Sequence, residues 1–333
     1  MSMIYSRTLA GKVLTGFLVL SLGAPMVGCG QAQGDASGGD AGATAVAESA
    51  AQAAPAPDAE IDDVTTVAYL GPAGTYTEEA TKLFFGDNDE LLPQETVPDA
   101  LAFVKDGTAA YAVVPQENTL GGPVTDYIDA LLGAEDVSVV GEVVLPIRQT
   151  LMGLPGTDLS KVTRVYSHKQ GLAQSAAWLD ENLASAKREE KASTAAAAQE
   201  VADGGDATAV AIAAPGAAEL YGLEVLQENV SQSEANKTRF YVVSRTANEL
   251  PGYDCATFVA DISADELPEV LESACVDGTN LTCVHDRPEG SALGTYRYVI
   301  ELEHEGGFTE EELARLKAIE QLEYLGSYAR VEE

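Results

Sequence analysis

Three short stretches carry residue types that could do chemistry. Gly71-Pro72-Ala73-Gly74 follows a β-type run over 66–70 and precedes a helical pattern near Glu78, which Thr75 or Thr77 can cap. Glu78 and Glu79 fall in the favourable first turn of that helix. A strand, a Gly-rich turn and a helix N-terminus together make an anion site, because unpaired backbone N–H groups point at the ligand. The same residues also suit a plain tight turn. Gln116-Glu117-Asn118-Thr119 closes the apolar strand over 110–115, at the strand end where α/β folds gather ligands. Thr238-Arg239-Phe240 opens a third strand. Side chains alternate along it, so Thr238 and Phe240 share one face and Arg239 takes the other. Thr238 also fits as a strand residue chosen for β propensity.

The elements that must position these residues alternate between β and α. Helices are expected over 98–105, 124–132, 195–202 and 216–221, and strands over 137–146, 163–166, 209–213 and 240–244. Ser167-His168-Lys169-Gln170 ends the 163–166 strand, and the helix after it carries Gln174 and Trp178. This pattern argues for an α/β domain over 66–250. Pro251-Gly252 marks a boundary. From 254 to 333 the order becomes β (255–261), α (266–277), β (280–286), β (294–303), α (309–321), β (325–331), the ferredoxin-like pattern.

The chain has 333 residues and a formal net charge of -34. So acidic a surface repels phosphate backbones and excludes nucleic acid as a partner. Residues 1–28 read as an export signal: Arg7 and Lys12, a short apolar run, then small residues ending before Cys29. The apolar run is too short for a comfortable transmembrane helix. Met26-Val27-Gly28-Cys29 resembles a bacterial lipobox, which would lipidate Cys29 and hold the chain at the outer face of the cytoplasmic membrane, with no other membrane contact. An ordinary cytoplasmic location is the alternative. Residues 29–65 lack aromatics, are rich in Ala, Gly and acids, and read as a disordered tether. Cys255, Cys275 and Cys283 are expected to be buried, with at most one disulfide among them. Two glycosylation-like triplets, at Asn236 and Asn280, are chance matches in a bacterial export product.

Several stretches together resemble prephenate dehydratase. They are Tyr69-Leu70-Gly71-Pro72-Ala73-Gly74-Thr75-Tyr76-Thr77, then Val113-Val114-Pro115-Gln116-Glu117-Asn118-Thr119, then Val165-Tyr166-Ser167-His168-Lys169-Gln170 with Gln174 downstream. Ser193-Thr194, Ala218-Glu219-Leu220-Tyr221-Gly222-Leu223 and Asn236-Lys237-Thr238-Arg239-Phe240 follow in the family's order. The resemblance implies a two-lobed catalytic domain like a type-II periplasmic binding protein. One lobe would span 66–143 plus the strand near 240, and the other 145–230. It implies conversion of prephenate to phenylpyruvate, carbon dioxide and water in phenylalanine biosynthesis, with no cofactor and no metal. The sequence agrees, since His168, His285, His304 and the cysteines show no metal-ligand spacing.

The resemblance also assigns residues. Thr238 would hydrogen-bond the leaving hydroxyl, with Asn118 and Gln174 as neutral amides at the active site. Thr75, Thr77, Glu117, Thr119, Ser167, Arg239 and Phe240 are the remaining candidates for contact with substrate. Glu117 suits an orienting role, because a carboxylate beside a dianion is unfavourable. His168 reads as a structural hydrogen-bonding residue.

Residues 254–333 resemble the family's regulatory ACT domain, and implied regulatory positions are Asn280, Leu281, His285, Asp286, Arg287 and Pro288. Two motifs depart from the family. His285-Asp286 replaces Glu-Ser, and Asp265-Glu266-Leu267 replaces Gly-Ala-Leu at the helix start. Acidic side chains there would repel a ligand carboxylate, which puts feedback by L-phenylalanine in doubt. The family pairs its ACT domains, which implies a homodimer or homotetramer. Arogenate as substrate, and an exported aromatic-acid binding protein without catalysis, are the competing functions.

Overall fold

The computed structural model describes residues 64–333, apart from 87, 88, 135, 234, 249, 250 and 292. The export signal, Cys29 and the tether lie outside the described residues.

The first lobe is built on one sheet. Its strands lie in the order Arg330–Glu332, Ser138–Pro146, Lys237–Ser244, Tyr111–Asn118, Thr66–Leu70 and Glu90–Gln94, with Gly122–Pro123 paired to Tyr111–Asn118. Helices Tyr76–Phe85, Val97–Asp106 and Thr125–Gly133 cover it. The second lobe is a five-stranded sheet in the order Glu224–Gln227, Thr150–Gly153, Ala209–Ala213, Arg164–Ser167 and Lys187–Glu190. Its helices include Lys169–Gln174, Ala176–Asn182 and Thr194–Gly204. The helix expected to carry both Gln174 and Trp178 is therefore two, broken at Ser175.

The C-terminal domain has four antiparallel strands in the order Thr279–Pro288, Thr295–His304, Cys255–Ser263 and Glu323–Tyr328. With helices Leu267–Ala274 and Glu310–Lys317 this is the ferredoxin-like arrangement. The central strand Cys255–Ser263 is buried on both faces. Ala256, Phe258, Ala260 and Ile262 pack on the domain's own helices. Cys255 and Val259 join a core shared with Tyr127, Tyr241 and Val243 of the first lobe. A period-2 strand that is apolar on both faces needs a cover on each side, and the first lobe supplies the second one.

The chain end departs from expectation. The single strand expected over 325–331 is two: Glu323–Tyr328 stays in the C-terminal sheet, while Arg330–Glu332 runs parallel to Ser138–Pro146 in the first lobe. The crossing is held by Arg330, whose Nε lies 3.0 Å from the fully buried Glu142 carboxylate. Gly326 makes the approach possible, since a Cβ there would collide with the Val139 carbonyl. All three described cysteines are free. Cys255 is buried as expected, but Cys275 and Cys283 are only half-buried.

Candidate active site

A cavity of about 340 Å³ opens between the two lobes. Asn118, Thr238, Phe240, Thr75 and Thr77 line it from the first lobe, and Gln170, Gln174, Ser193 and Thr194 from the second. No Asp, Glu, Lys or Arg is among its lining residues.

The helix Tyr76–Phe85 begins two residues earlier than expected. Thr75 is its cap, with Oγ1 accepting from the Glu78 N–H at 3.4 Å. Thr77 sits buried inside the first turn. Across the cleft, Ser193 caps Thr194–Gly204 by accepting from the Ala196 N–H at 3.0 Å. Two helix N-termini thus face one cavity, and both favour an anion there. His168 caps the six-residue helix Lys169–Gln174 through Nδ1, in keeping with the structural role expected of it.

A run of neutral groups crosses the cleft. Asn118 Nδ2 donates to Thr238 Oγ1 at 2.9 Å and to Asn236 Oδ1 at 2.9 Å. Asn236 Nδ2 donates to Gln174 Oε1 at 3.0 Å, and Gln149 Nε2 donates to the same oxygen at 2.9 Å. Gln170 Nε2 donates to Asn118 Oδ1 at 3.2 Å, so the first lobe is tied to the second directly as well. Two consequences follow from donor and acceptor counts. Thr238 Oγ1 accepts from Asn118, so its own proton remains for a ligand oxygen. Gln174 Oε1 is taken by two donors, so its Nε2 is the group left to face the cavity.

Four of the expected substrate contacts lie elsewhere. A register shift in the pairing of Lys237–Ser244 with Tyr111–Asn118 falls between Arg239 and Phe240, leaving Gln116 as an extra residue. Such a bulge breaks the alternation of side chains. Pro115 and Asn118 therefore both line the cavity, while Gln116 and Glu117 both turn to the C-terminal domain. Arg239 also faces away from the cavity. Its Nε donates to Gln116 Oε1 at 2.9 Å, and its guanidinium pairs with Glu301 and, at 3.4 Å, with Glu142. Thr119 is exposed and donates to the Lys237 carbonyl at 3.0 Å. Ser167 is fully buried and donates to the Ile212 carbonyl at 2.7 Å.

Sequence reasoning missed Gln149, Gln170, Tyr76 and Asn236. The Tyr76 hydroxyl reaches the Arg148 carbonyl at 3.0 Å and Gln149 Oε1 at 3.4 Å, closing the cleft floor. Asn236 is 1% exposed and joins Asn118 to Gln174, yet the sequence marks it only as the first residue of the Asn236-Lys237-Thr238-Arg239-Phe240 stretch and of a glycosylation-like triplet, with no role of its own. The available signal was that stretch, which sets it two residues before Thr238.

Of the regulatory candidates, Arg287 makes a two-point ion pair with Asp129 of the first lobe, at 2.5 and 2.8 Å. His285 is buried at the same domain interface, in contact with Gln116. Asn280, Leu281, Asp286 and Pro288 are exposed.

Two α/β lobes around a cleft that two helix N-termini face define a periplasmic-binding-protein-like domain. Residues 67–248 match the family model described as prephenate dehydratase. The chain belongs to the prephenate dehydratase family. It is 38% identical to a prephenate dehydratase of Corynebacterium glutamicum over 252 residues, covering 72% of this chain and 79% of that relative. It is also similar to the solved prephenate dehydratase of Arthrobacter aurescens in complex with L-Phe. That match has 33% identity and a TM-score of 0.69, covering 80% of this chain and 90% of that one. A solved structure described as GqqA, a novel type of quorum quenching acylase, matches with 29% identity and a TM-score of 0.69. It covers 80% of this chain and 98% of that one. The two solved relatives share one fold and are described by different activities, so the chemistry of this chain rests on its site.

Proposed function

We propose that this chain converts prephenate to phenylpyruvate, carbon dioxide and water. The observation that carries the reading is the cavity wall: Thr238, Asn118 and Gln174 converge there beside two helix N-termini, with no charged side chain among the lining residues. Prephenate carries two carboxylates and a ring hydroxyl, which this set can hold without a buried cation. The C–C bond to the ring carboxylate breaks, and its electron pair completes the aromatic ring as the C–O bond breaks. The departing hydroxide takes one proton to become water. A Thr hydroxyl is a poor acid, so Thr238 acts by a hydrogen bond that strengthens as the leaving oxygen gains charge. Asn118 fixes the Thr238 oxygen, which leaves the hydroxyl proton to that bond.

Turnover of prephenate by the full chain tests this directly. Phenylpyruvate should form, and formation should collapse in Thr238→Ala. No turnover together with tight binding of an aromatic acid would instead favour a binding protein. Faster turnover of arogenate would reassign the substrate.

The C-terminal domain is read as an ACT domain, supported by its ferredoxin-like strand order. Pairing through that domain into a dimer or tetramer is supported by its ten-residue edge strand, Thr279–Pro288. L-phenylalanine is an effector candidate, since the Arthrobacter aurescens relative was solved with it. Here Glu266 stands just before Leu267–Ala274 and its carboxylate accepts from the Ser263 N–H and hydroxyl. Asp261, Glu266, Glu320 and Glu323 surround the adjoining surface pocket and disfavour a carboxylate ligand. Export and lipidation at Cys29 rest on residues 1–29 alone. Among the described residues no helix is long and apolar enough to cross a membrane. Fatty-acid labelling that is lost in Cys29→Ser would support the anchor, and an unlabelled cytosolic product would exclude it.

A further inference from the structure

The interface between the first lobe and the C-terminal domain holds a cluster that the reaction does not use. Glu117 reaches it because of the bulge at Gln116. Cys283 and His285 reach it from Thr279–Pro288, two residues apart and therefore on one strand face. One ligand atom from each lies within 4.8 Å of the other two. Cys283 Sγ stands 3.2 Å from His285 Nε2 and 3.9 Å from Nδ1. An S–N edge of a tetrahedral zinc site is roughly 3.5 Å, from bonds near 2.3 and 2.0 Å.

We propose that Glu117, Cys283 and His285 form a site for a borderline-soft divalent cation, zinc or cobalt in chemical class, that clamps the two domains together. The donor set supports that class. One thiolate sulfur, one imidazole nitrogen and one carboxylate oxygen suit zinc and disfavour magnesium or calcium, which take oxygen shells. The surrounding charge supports it too. Glu117, Glu142 and Glu301 face Arg239 and Arg330 in and beside the cluster. With Glu303 and Asp286 beside them, these carboxylates outnumber the two guanidiniums, so a divalent cation reduces the local negative charge even after the thiol loses its proton. His285 is 6% exposed, so a metal held there is shielded from water on the imidazole side. Binding releases the Cys283 thiol proton as the Sγ–metal bond forms. Three protein ligands leave the fourth position of a tetrahedron to water. Linear spacing hides the site, because one ligand comes from the first lobe and two from the C-terminal domain.

Glu117 adjoins Asn118 on one strand, so a cation here would stiffen the strand that carries the active-site amide.

Cobalt(II) alone, titrated into the metal-stripped full chain, tests it. One equivalent should produce a near-ultraviolet thiolate-to-cobalt band and visible bands of tetrahedral intensity. Cys283→Ser should abolish the ultraviolet band, while Cys255→Ser and Cys275→Ser keep it. His285→Ala and Glu117→Gln should each weaken zinc affinity at least about tenfold. Thermal unfolding of each variant without metal shows that the fold survives. Zinc should raise the melting temperature of the parent and leave that of Cys283→Ser unchanged. A parent that takes up no more cobalt than Cys283→Ser overturns the proposal. So does a band that survives Cys283→Ser.

Discussion

Asn118 Nδ2 lies 2.9 Å from Thr238 Oγ1, and the two residues face each other as register partners on adjacent antiparallel strands. The contact sets the direction of the Thr238 proton, because an oxygen that accepts from one neighbour has its own hydrogen free for another. It makes the pair a unit rather than two independent contacts.

Thr238→Ala should lower kcat about 10²–10³-fold, the range for loss of one donor to a developing oxyanion. Asn118→Ala should do nearly as much, by freeing the Thr238 oxygen to turn. The double variant should be close to the worse single variant, since residues that act together are not additive. Steady-state kinetics on the four proteins measures this. Additive losses would mean that the hydrogen bond does not orient Thr238.

Two arginines cross the domain boundary and should differ sharply in stability. Arg239 pairs with Glu301 and Glu142, both nearly inaccessible to water. Arg239→Ala leaves the buried Glu301 carboxylate without its cation, while Arg330 still pairs with Glu142, and should cost about 3–5 kcal/mol in denaturant unfolding. Arg287 pairs with Asp129 at side-chain exposures of 34% and 52%. Arg287→Ala should leave the unfolding midpoint close to that of the parent, because an exposed pair contributes little. Equal losses would contradict the burial argument.

Glu79 supplies a pH test. Burial and then the Glu333 carboxylate raise its pKa above the ordinary 4.5, and Oε2 has no hydrogen-bond partner. A carboxyl whose folded pKa is raised contributes stability below its unfolded pKa, and that contribution is lost as pH rises through the folded value. Glu79→Gln should therefore match the parent below the ordinary carboxylate pKa and exceed it by a margin that grows as pH rises toward 8. Unfolding midpoints across that range decide it, and a gain that does not grow with pH would reject it.

Phenylalanine should change the rate by less than about fivefold, the low end of ordinary coupling between sites. The acidic surround of the Leu267–Ala274 helix start is the reason. Initial rates with added phenylalanine measure the effect, and strong inhibition would show that the carboxylate binds despite those charges.

Much of the chemistry was legible in the linear chain. Thr75, Thr77, Asn118, Gln174, Thr238 and Phe240 were singled out by type and motif, and all six line the cavity. The β–α alternation of the two lobes and the ferredoxin-like C-terminal order were also readable, because each depends on local periodicity and short connections. Alternation correctly turned Arg239 away from Thr238, since one strand's pleat is a local property. It could not place Glu117. That residue's side depends on a bulge at Gln116, which exists only in the pairing of Tyr111–Asn118 with Lys237–Ser244. Asn236 became a link between lobes, Arg330 crossed into another sheet, and Glu117 met Cys283 and His285 for the same reason. Each depends on a partner distant in the chain, and no local spacing records which distant residue a buried polar group will find.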